Sequence, residues 1–81
     1  MITIITAEVS LYPVETEDSD QVIEESLAAL GDYQLQYDIG SLSTHLYGES
    51  DQVWSALRTL HERAQALGHE VVMVVTISNG S

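Results

Sequence analysis

The sequence has 81 residues, 44% of them hydrophobic, which predicts one small globular domain over residues 1–81. Its formal net charge is −11, and a surface this acidic argues against binding to nucleic acid or to an anionic membrane. The absence of cysteine excludes disulfides, thiolate catalysis and thiolate metal ligands. The longest wholly apolar run, residues 71–75, is too short to span a membrane, and the N-terminus lacks a signal-peptide pattern. We therefore expect a soluble, cytoplasmic protein.

The first predicted element is a strand over residues 1–13, followed by a helix over residues 19–30. Alternation within the strand places four apolar residues on one face: Ile5, Ala7, Val9 and Leu11. Pro13 is expected to end the strand, because proline has no N–H to donate. Asp18 or Asp20 can cap the helix, and Gly31 is expected to end it. Its apolar residues recur at helical spacing: Ile23, Leu27 and Leu30.

Two further alternating runs, residues 33–39 and 42–47, are predicted to form a hairpin with a tight turn at Gly40-Ser41. Ser50 can cap a second helix, whose apolar residues recur at steps of three and four up to Gly68: Val53, Leu57, Leu60, Ala64 and Leu67. A last strand covers residues 71–78. The resulting order predicts a ferredoxin-like α+β fold, βαββαβ, with a four-stranded antiparallel sheet and both helices on one face.

The sheet face away from the helices is predicted to be apolar in part. The first strand contributes Ile2, Ile4, Thr6 and Tyr12 to it. The last strand contributes either Val72 and Val74 or the alternate set, Val71, Met73 and Val75. Because these two strands are neighbours in this fold, the side chains would form one patch, and such patches mark interaction surfaces. We therefore expect a homo-oligomer joined through sheet faces, either a dimer or a dimer of dimers. The alternative is a monomer with scattered exposed apolar residues.

The sequence offers no motif for catalysis or metal binding. The three histidines, His45, His61 and His69, do not have the spacing of a metal site, and no nucleophile elbow, phosphate loop or dinucleotide fingerprint is present. We therefore expect no enzyme activity, no catalytic residue, no metal and no cofactor.

The hairpin is unusually rich in hydroxyl groups, with Ser41, Ser43 and Thr44 inside four positions. Other strand ends add three more: Ser10, Thr76 and Ser78. A hydroxyl both donates and accepts, so it suits a heteroaromatic ring that carries an amine beside a ring nitrogen. Three tyrosines can supply a flat wall for such a ring: Tyr12, Tyr37 and Tyr47. The alternative is that Ser and Thr simply fit a half-buried sheet.

Three segments of the chain carry a recognisable pattern. They are Glu8-Val9-Ser10-Leu11-Tyr12-Pro13, Gly40-x-Leu42-Ser43-Thr44-x-Leu46-x-Gly48, and Gly68-His69-x-Val71-Val72 running into Thr76-x-Ser78. Together and in this order, over nearly the whole chain, they resemble the YkoF-like thiamine-binding family. After Pro13 the chain departs from many relatives, which have a Leu-Gly-Thr type of turn there.

The resemblance implies ferredoxin-like domains that associate through their sheets. It implies non-enzymatic binding of thiamine or its hydroxymethylpyrimidine moiety, in thiamine uptake, salvage or handling. It also implies that Ser43 and Thr44 contact the pyrimidine, whereas Ser10, Thr76 and Ser78 match the family pattern less closely. A single domain, where other relatives have two in one chain, implies at least a dimer.

The position of the pocket is left open by the sequence. Adjacent strand residues point to opposite faces, so Ser43 and Thr44 can line one pocket only at a strand end or a bulge. Ser10, Ser43 and Tyr12 are expected on the open face, whereas Thr44 is expected to face the helices with Tyr37. Two other functions stay open as well: an oligomeric interaction module without a small-molecule ligand, and an isomerase-like enzyme on a related dimeric sheet.

Overall fold

A computed structural model describes residues 2–14, 19–67 and 70–80. In chain order these form β1 (Ile4–Val14), α1 (Ser19–Leu27), a 3₁₀ helix (Ala28–Asp32), β2 (Leu35–Ile39), β3 (Thr44–Glu49), α2 (Ser50–Ala66) and β4 (Glu70–Ser78). The strands make one antiparallel sheet in the order β2-β3-β1-β4. This architecture confirms the predicted ferredoxin-like α+β fold.

Both helices pack on the face of the sheet that the alternation in β1 assigns to the core. The buried cluster contains residues from β1, β3, the two helices and the 3₁₀ helix: Ile5, Ala7, Val9, Leu27, Leu30, Leu46, Val53, Ala56, Leu57 and Leu60. Burying one Leu, Ile or Val side chain stabilises a fold by about 1.5–3 kcal/mol. The pattern of apolar residues therefore decides which face of each strand turns toward the helices.

The sequence leaves open which alternate side chains of β4 face the helices. Strand register decides this. Met73 lies opposite Leu11 and Val75 lies opposite Val9, and both pack against the core. Val72 and Val74, about half-exposed, therefore face the open side of the sheet.

The strands β1, β2 and β4 begin within three residues of their predicted starts, and three other predicted boundaries are wrong. β1 does not end at Pro13 but continues through Val14. Beyond Val9 it pairs with β4 only, and a strand with a free side tolerates a residue that has no N–H. The first helix changes to 3₁₀ winding after Leu27, so Gly31 lies inside the 3₁₀ helix. The tighter turn keeps Leu30 buried in the core.

The third boundary is the hairpin turn. Residues 40–43 form a four-residue loop, and β3 begins at Thr44 instead of Leu42. The Gly40 N–H donates to the Ser43 carbonyl at 2.9 Å and closes the loop. A Cβ on Gly40 would lie 3.0 Å from that same oxygen, so this close approach favours glycine.

The predicted helix caps are also wrong where the structure describes them. Ser50 is the first residue of α2, and Glu49 precedes it without a side-chain cap. The Ser50 N–H donates to the Thr3 carbonyl at 2.7 Å, so the chain before β1 satisfies one of the N–H groups at this helix end. Asp20 lies inside the first turn of α1. Asp18 and the proposed helix stop at Gly68 lie outside the described residues.

Candidate ligand-binding site

A small cleft lies where β1 leaves β3. Its volume is about 100 Å³. Apolar side chains from β1, α1 and β2 form part of the lining: Val9, Leu11, Ile23, Leu27 and Ile39. The rest comes from Ser10 and from residues 40–44. The cleft is thus a small apolar site with hydroxyl groups around it.

The stagger between β1 and β3 creates this cleft. The last pair of their ladder is Val9 with Thr44, whereas β1 continues for five residues beside β4 alone. The loop 40–43 folds over the side of β1 that β3 no longer covers. There the Ser10 hydroxyl donates a long hydrogen bond, 3.4 Å, to the Leu42 carbonyl. A ligand group can replace a contact this weak.

A wider groove continues from the cleft onto the open face of the sheet. Its volume is about 580 Å³, and it shares Ser10, Leu11, Ile23 and residues 41–43 with the cleft. The groove adds Glu8 and Tyr12 from β1. A ligand with two linked parts therefore has room for one part in the cleft and one in the groove.

Three of the six predicted site residues come together at this place: Ser10, Ser43 and Thr44. Thr44 is buried on the helix side of β3, and Ser43 is half-buried in the loop just before the strand. Because Ser43 lies outside the regular strand, both residues line one cleft. Of the two arrangements that the sequence allows for a shared pocket, a strand end or a bulge, the structure therefore has the strand end.

The other three predicted site residues lie elsewhere. Tyr37 is opposite Leu46, on the helix-facing side with Thr44 as predicted, and it does not line the cleft. Thr76 lies opposite Glu8 on the open face, and Ser78 lies opposite Thr6. The Ser78 hydroxyl accepts the Gly80 N–H at 3.0 Å, which gives it a local partner.

The cleft has lining residues that the sequence does not single out as site candidates. The sequence predicts only a core role for Ile23 and Leu27, yet both line the cleft from α1. It predicts a strand start at Leu42, but this residue lies in the loop and is 89% exposed. A large apolar side chain between two serines is the signal that could have indicated a ligand contact.

A row of polar side chains, one from each strand, crosses the middle of the open face: Asp38, His45, Glu8 and Thr76. On β1 and β3, Glu8 Oε2 lies 2.9 Å from His45 Nε2, and both side chains are about half-exposed. Asp38 lies opposite His45, and Thr76 lies opposite Glu8. This row corrects the prediction of one apolar patch. The exposed apolar residues fall at two ends of the open face, with Glu8 between them on β1. Ile4 and Tyr47 lie at one end, and Tyr12, Val72 and Val74 lie at the other.

The charges near the site are acidic. The chain has no lysine, and both arginines are on α2, where Arg58 pairs with Glu62 at 3.0 Å. Across residues 2–14, 19–67 and 70–80, no group of three or more His, Cys, Asp and Glu side chains is placed to hold a metal ion. The helices in those same ranges include none that combines the length and apolar character needed to cross a membrane.

Comparisons with known proteins agree with this architecture. A model of the YkoF-related family matches residues 4–81. A Streptococcus pneumoniae protein superposes with a TM-score of 0.88 at 23% identity, covering 100% of this chain and 89% of that one. A hypothetical protein of Methanocaldococcus jannascii gives 0.85 at 21% identity, with coverages of 94% and 79%.

A third solved structure is a Thermotoga maritima protein whose description proposes a role in thiamine biosynthesis or salvage. Its TM-score is 0.80 at 18% identity, and the match covers 93% of this chain and 82% of that one. None of the curated proteins compared with this chain matches it. At these identities the solved structures show a shared fold.

Proposed function

Because this chain belongs to the YkoF-related family, we propose that it binds thiamine, or the hydroxymethylpyrimidine moiety of thiamine, without transforming it. The role would be in thiamine uptake, salvage or handling. Support comes from the Thermotoga maritima protein, whose description concerns thiamine and whose fold covers 93% of this chain.

The observation that carries the proposal is the chemistry of the cleft. An aminopyrimidine is a flat neutral ring that offers an amine donor next to a ring-nitrogen acceptor. The hydroxyls of Ser10, Ser43 and Thr44 can each accept from the amine or donate to the nitrogen. Ile23 and Leu27 offer an apolar surface for the ring face. Apolar walls with a few polar groups are typical of small-molecule sites.

The cleft supports binding better than catalysis. Among the described residues that line it, none is a histidine or a carboxylate. A serine or threonine hydroxyl needs an adjacent base to act as a nucleophile. His45 lies on the open face beside Glu8, outside the cleft. We therefore propose a binding protein in preference to an isomerase-like enzyme.

We also propose that the protein is a homo-oligomer, a dimer or a dimer of dimers, joined through open sheet faces. Tyr12, Val72 and Val74 lie side by side there and are each about half-exposed. Pairing of two such faces would remove this apolar surface from water and close the groove beside it.

Titration calorimetry with thiamine and then with hydroxymethylpyrimidine tests the proposal. We expect saturable binding of both, with the pyrimidine keeping most of the affinity because the cleft holds that ring. Flat heats for both at about 1 mM ligand, where the binding free energy would be weaker than about −4 kcal/mol, contradict it. A stable oligomer that binds neither compound would favour the interaction-module hypothesis.

A further inference from the structure

The groove carries a charged group that recognition of a neutral pyrimidine does not use. Glu8 and Ser10 are on the same face of β1, since they are two residues apart, roughly 7 Å along the strand. Ser10 lines both the cleft and the groove, whereas Glu8 lines the groove only. A carboxylate therefore stands one side chain beyond the hydroxyls of the cleft.

The surroundings of Glu8 favour a cation. No strand residue and no residue of the loop 40–43 is Lys or Arg. On the open face within the described part of the chain, His45 is the basic side chain beside Glu8, and it contacts one carboxylate oxygen, Oε2. Asp38 lies opposite His45 on β2, and it does not line the groove. The Glu8 side chain is 51% exposed, so a ligand can reach it.

We propose that the groove selects a ligand that carries a positively charged heteroaromatic ring one short link away from its neutral ring, and that Glu8 recognises the charge. This inference rests on the proposed function. In thiamine, one carbon joins the neutral aminopyrimidine to a thiazolium cation. With the pyrimidine beside Ser43 and Ser10, the thiazolium lies in the groove next to Glu8. Hydroxymethylpyrimidine lacks the cation and leaves the groove empty.

The test compares the Kd of thiamine with the Kd of hydroxymethylpyrimidine in the full chain and in Glu8→Gln. The variant keeps the shape of the side chain and removes its charge. We expect thiamine to bind about fivefold more weakly, equivalent to about 1 kcal/mol for a half-exposed charge pair, with no change for the pyrimidine. Equal losses for both ligands, or no loss for thiamine, would overturn the role of Glu8.

Asp38→Asn is the matched control, because it removes the same charge from the same face two strands away. It lies outside the groove, and we expect its effect on thiamine to stay within about twofold at physiological salt, where charges are screened over about 8 Å. If Asp38→Asn weakens thiamine as much as Glu8→Gln does, the overall charge decides and the proposed contact is wrong.

Salt dependence gives a second readout that needs no variant. Thiamine affinity of the unaltered protein should fall as NaCl is raised, while pyrimidine affinity stays constant. Equal salt dependence for the two ligands contradicts the inference. Failure of both ligands to bind overturns the proposed function itself, whereas pyrimidine binding without charge preference overturns only the role of Glu8.

Discussion

The two parts of β1 have different surroundings and different roles. Residues 6–9 pair with β3 on one side and with β4 on the other, and Ala7 and Val9 are buried under the helices. Residues 10–14 have β4 alone, and the loop 40–43 and the cleft occupy the other side. The same strand is thus a structural centre in one part and the edge of a site in the other.

This difference shows how a small fold makes room for a ligand. Where a strand has two neighbours, every position is filled by backbone pairing and packing. Where one neighbouring strand ends early, a cleft remains that is lined by apolar side chains, hydroxyl groups and an irregular loop. We therefore expect substitutions around residues 6–9 to change stability first, and substitutions around residues 10–14 to change binding or assembly first.

The largest expected effect is at Leu46, which is completely buried opposite Ala7. Leu46→Ala should lower the free energy of unfolding by about 2–5 kcal/mol, because it removes apolar contacts and leaves a cavity. Urea denaturation at fixed protein concentration measures this. Leu42→Ala, at an 89% exposed position of the loop, is the control and should change stability by less than about 0.5 kcal/mol. Similar losses in both variants would contradict the described core.

The next effect concerns assembly. Val74 lies opposite Ser10 on the open face. In Val74→Glu a charge would enter the proposed interface between sheets, and its desolvation should weaken association by at least about 2 kcal/mol. Light scattering after size exclusion should show a smaller mass, with an unchanged circular dichroism spectrum. A variant that keeps the mass of the unaltered protein would exclude this face as the interface.

Removal of the cleft hydroxyls should act on binding alone. Ser43→Ala with Thr44→Ala should weaken both thiamine and hydroxymethylpyrimidine about thirtyfold, from two lost hydrogen bonds of about 1 kcal/mol each. The matched control is Thr76→Ala with Ser78→Ala, which removes two hydroxyls outside the cleft and should leave both Kd values within about twofold. Titration calorimetry on both double variants shows whether the ligand binds in the cleft or beside Thr76 and Ser78 on the open face. Loss of binding in the control pair alone would move the ligand onto the open face.

The smallest effect is expected from the loop backbone. Gly40→Ala puts a Cβ 3.0 Å from the Ser43 carbonyl, so the loop must shift, and we expect about 1 kcal/mol lower stability with weaker pyrimidine binding. Gly31→Ala is the control, because nothing lies within 4 Å of the new Cβ. It should be neutral or slightly stabilising. Equal behaviour of the two variants would show that the loop adapts freely.

Local patterns in the sequence predict the fold well. Alternation separates Ile5, Ala7 and Val9 from the open face, and helical spacing identifies Val53, Leu57 and Leu60 as core residues. These patterns suffice because the apolar face of each element is set by residues close together in the chain. Burial of that face stabilises the fold strongly. The hydroxyl-rich hairpin likewise indicates Ser43 and Thr44 as site candidates without any tertiary information.

The sequence by itself therefore determined the order of the elements, their buried faces and the family pattern. Only the tertiary structure decided where the cleft lies, because the cleft depends on the register of β1 and β3, whose last pair is Val9 with Thr44. It also decided that Tyr37, Thr76 and Ser78 lie away from the cleft and that a polar row divides the open face. Such features arise from pairing between residues far apart in the chain, and hydrophobic periodicity within each strand does not encode that stagger.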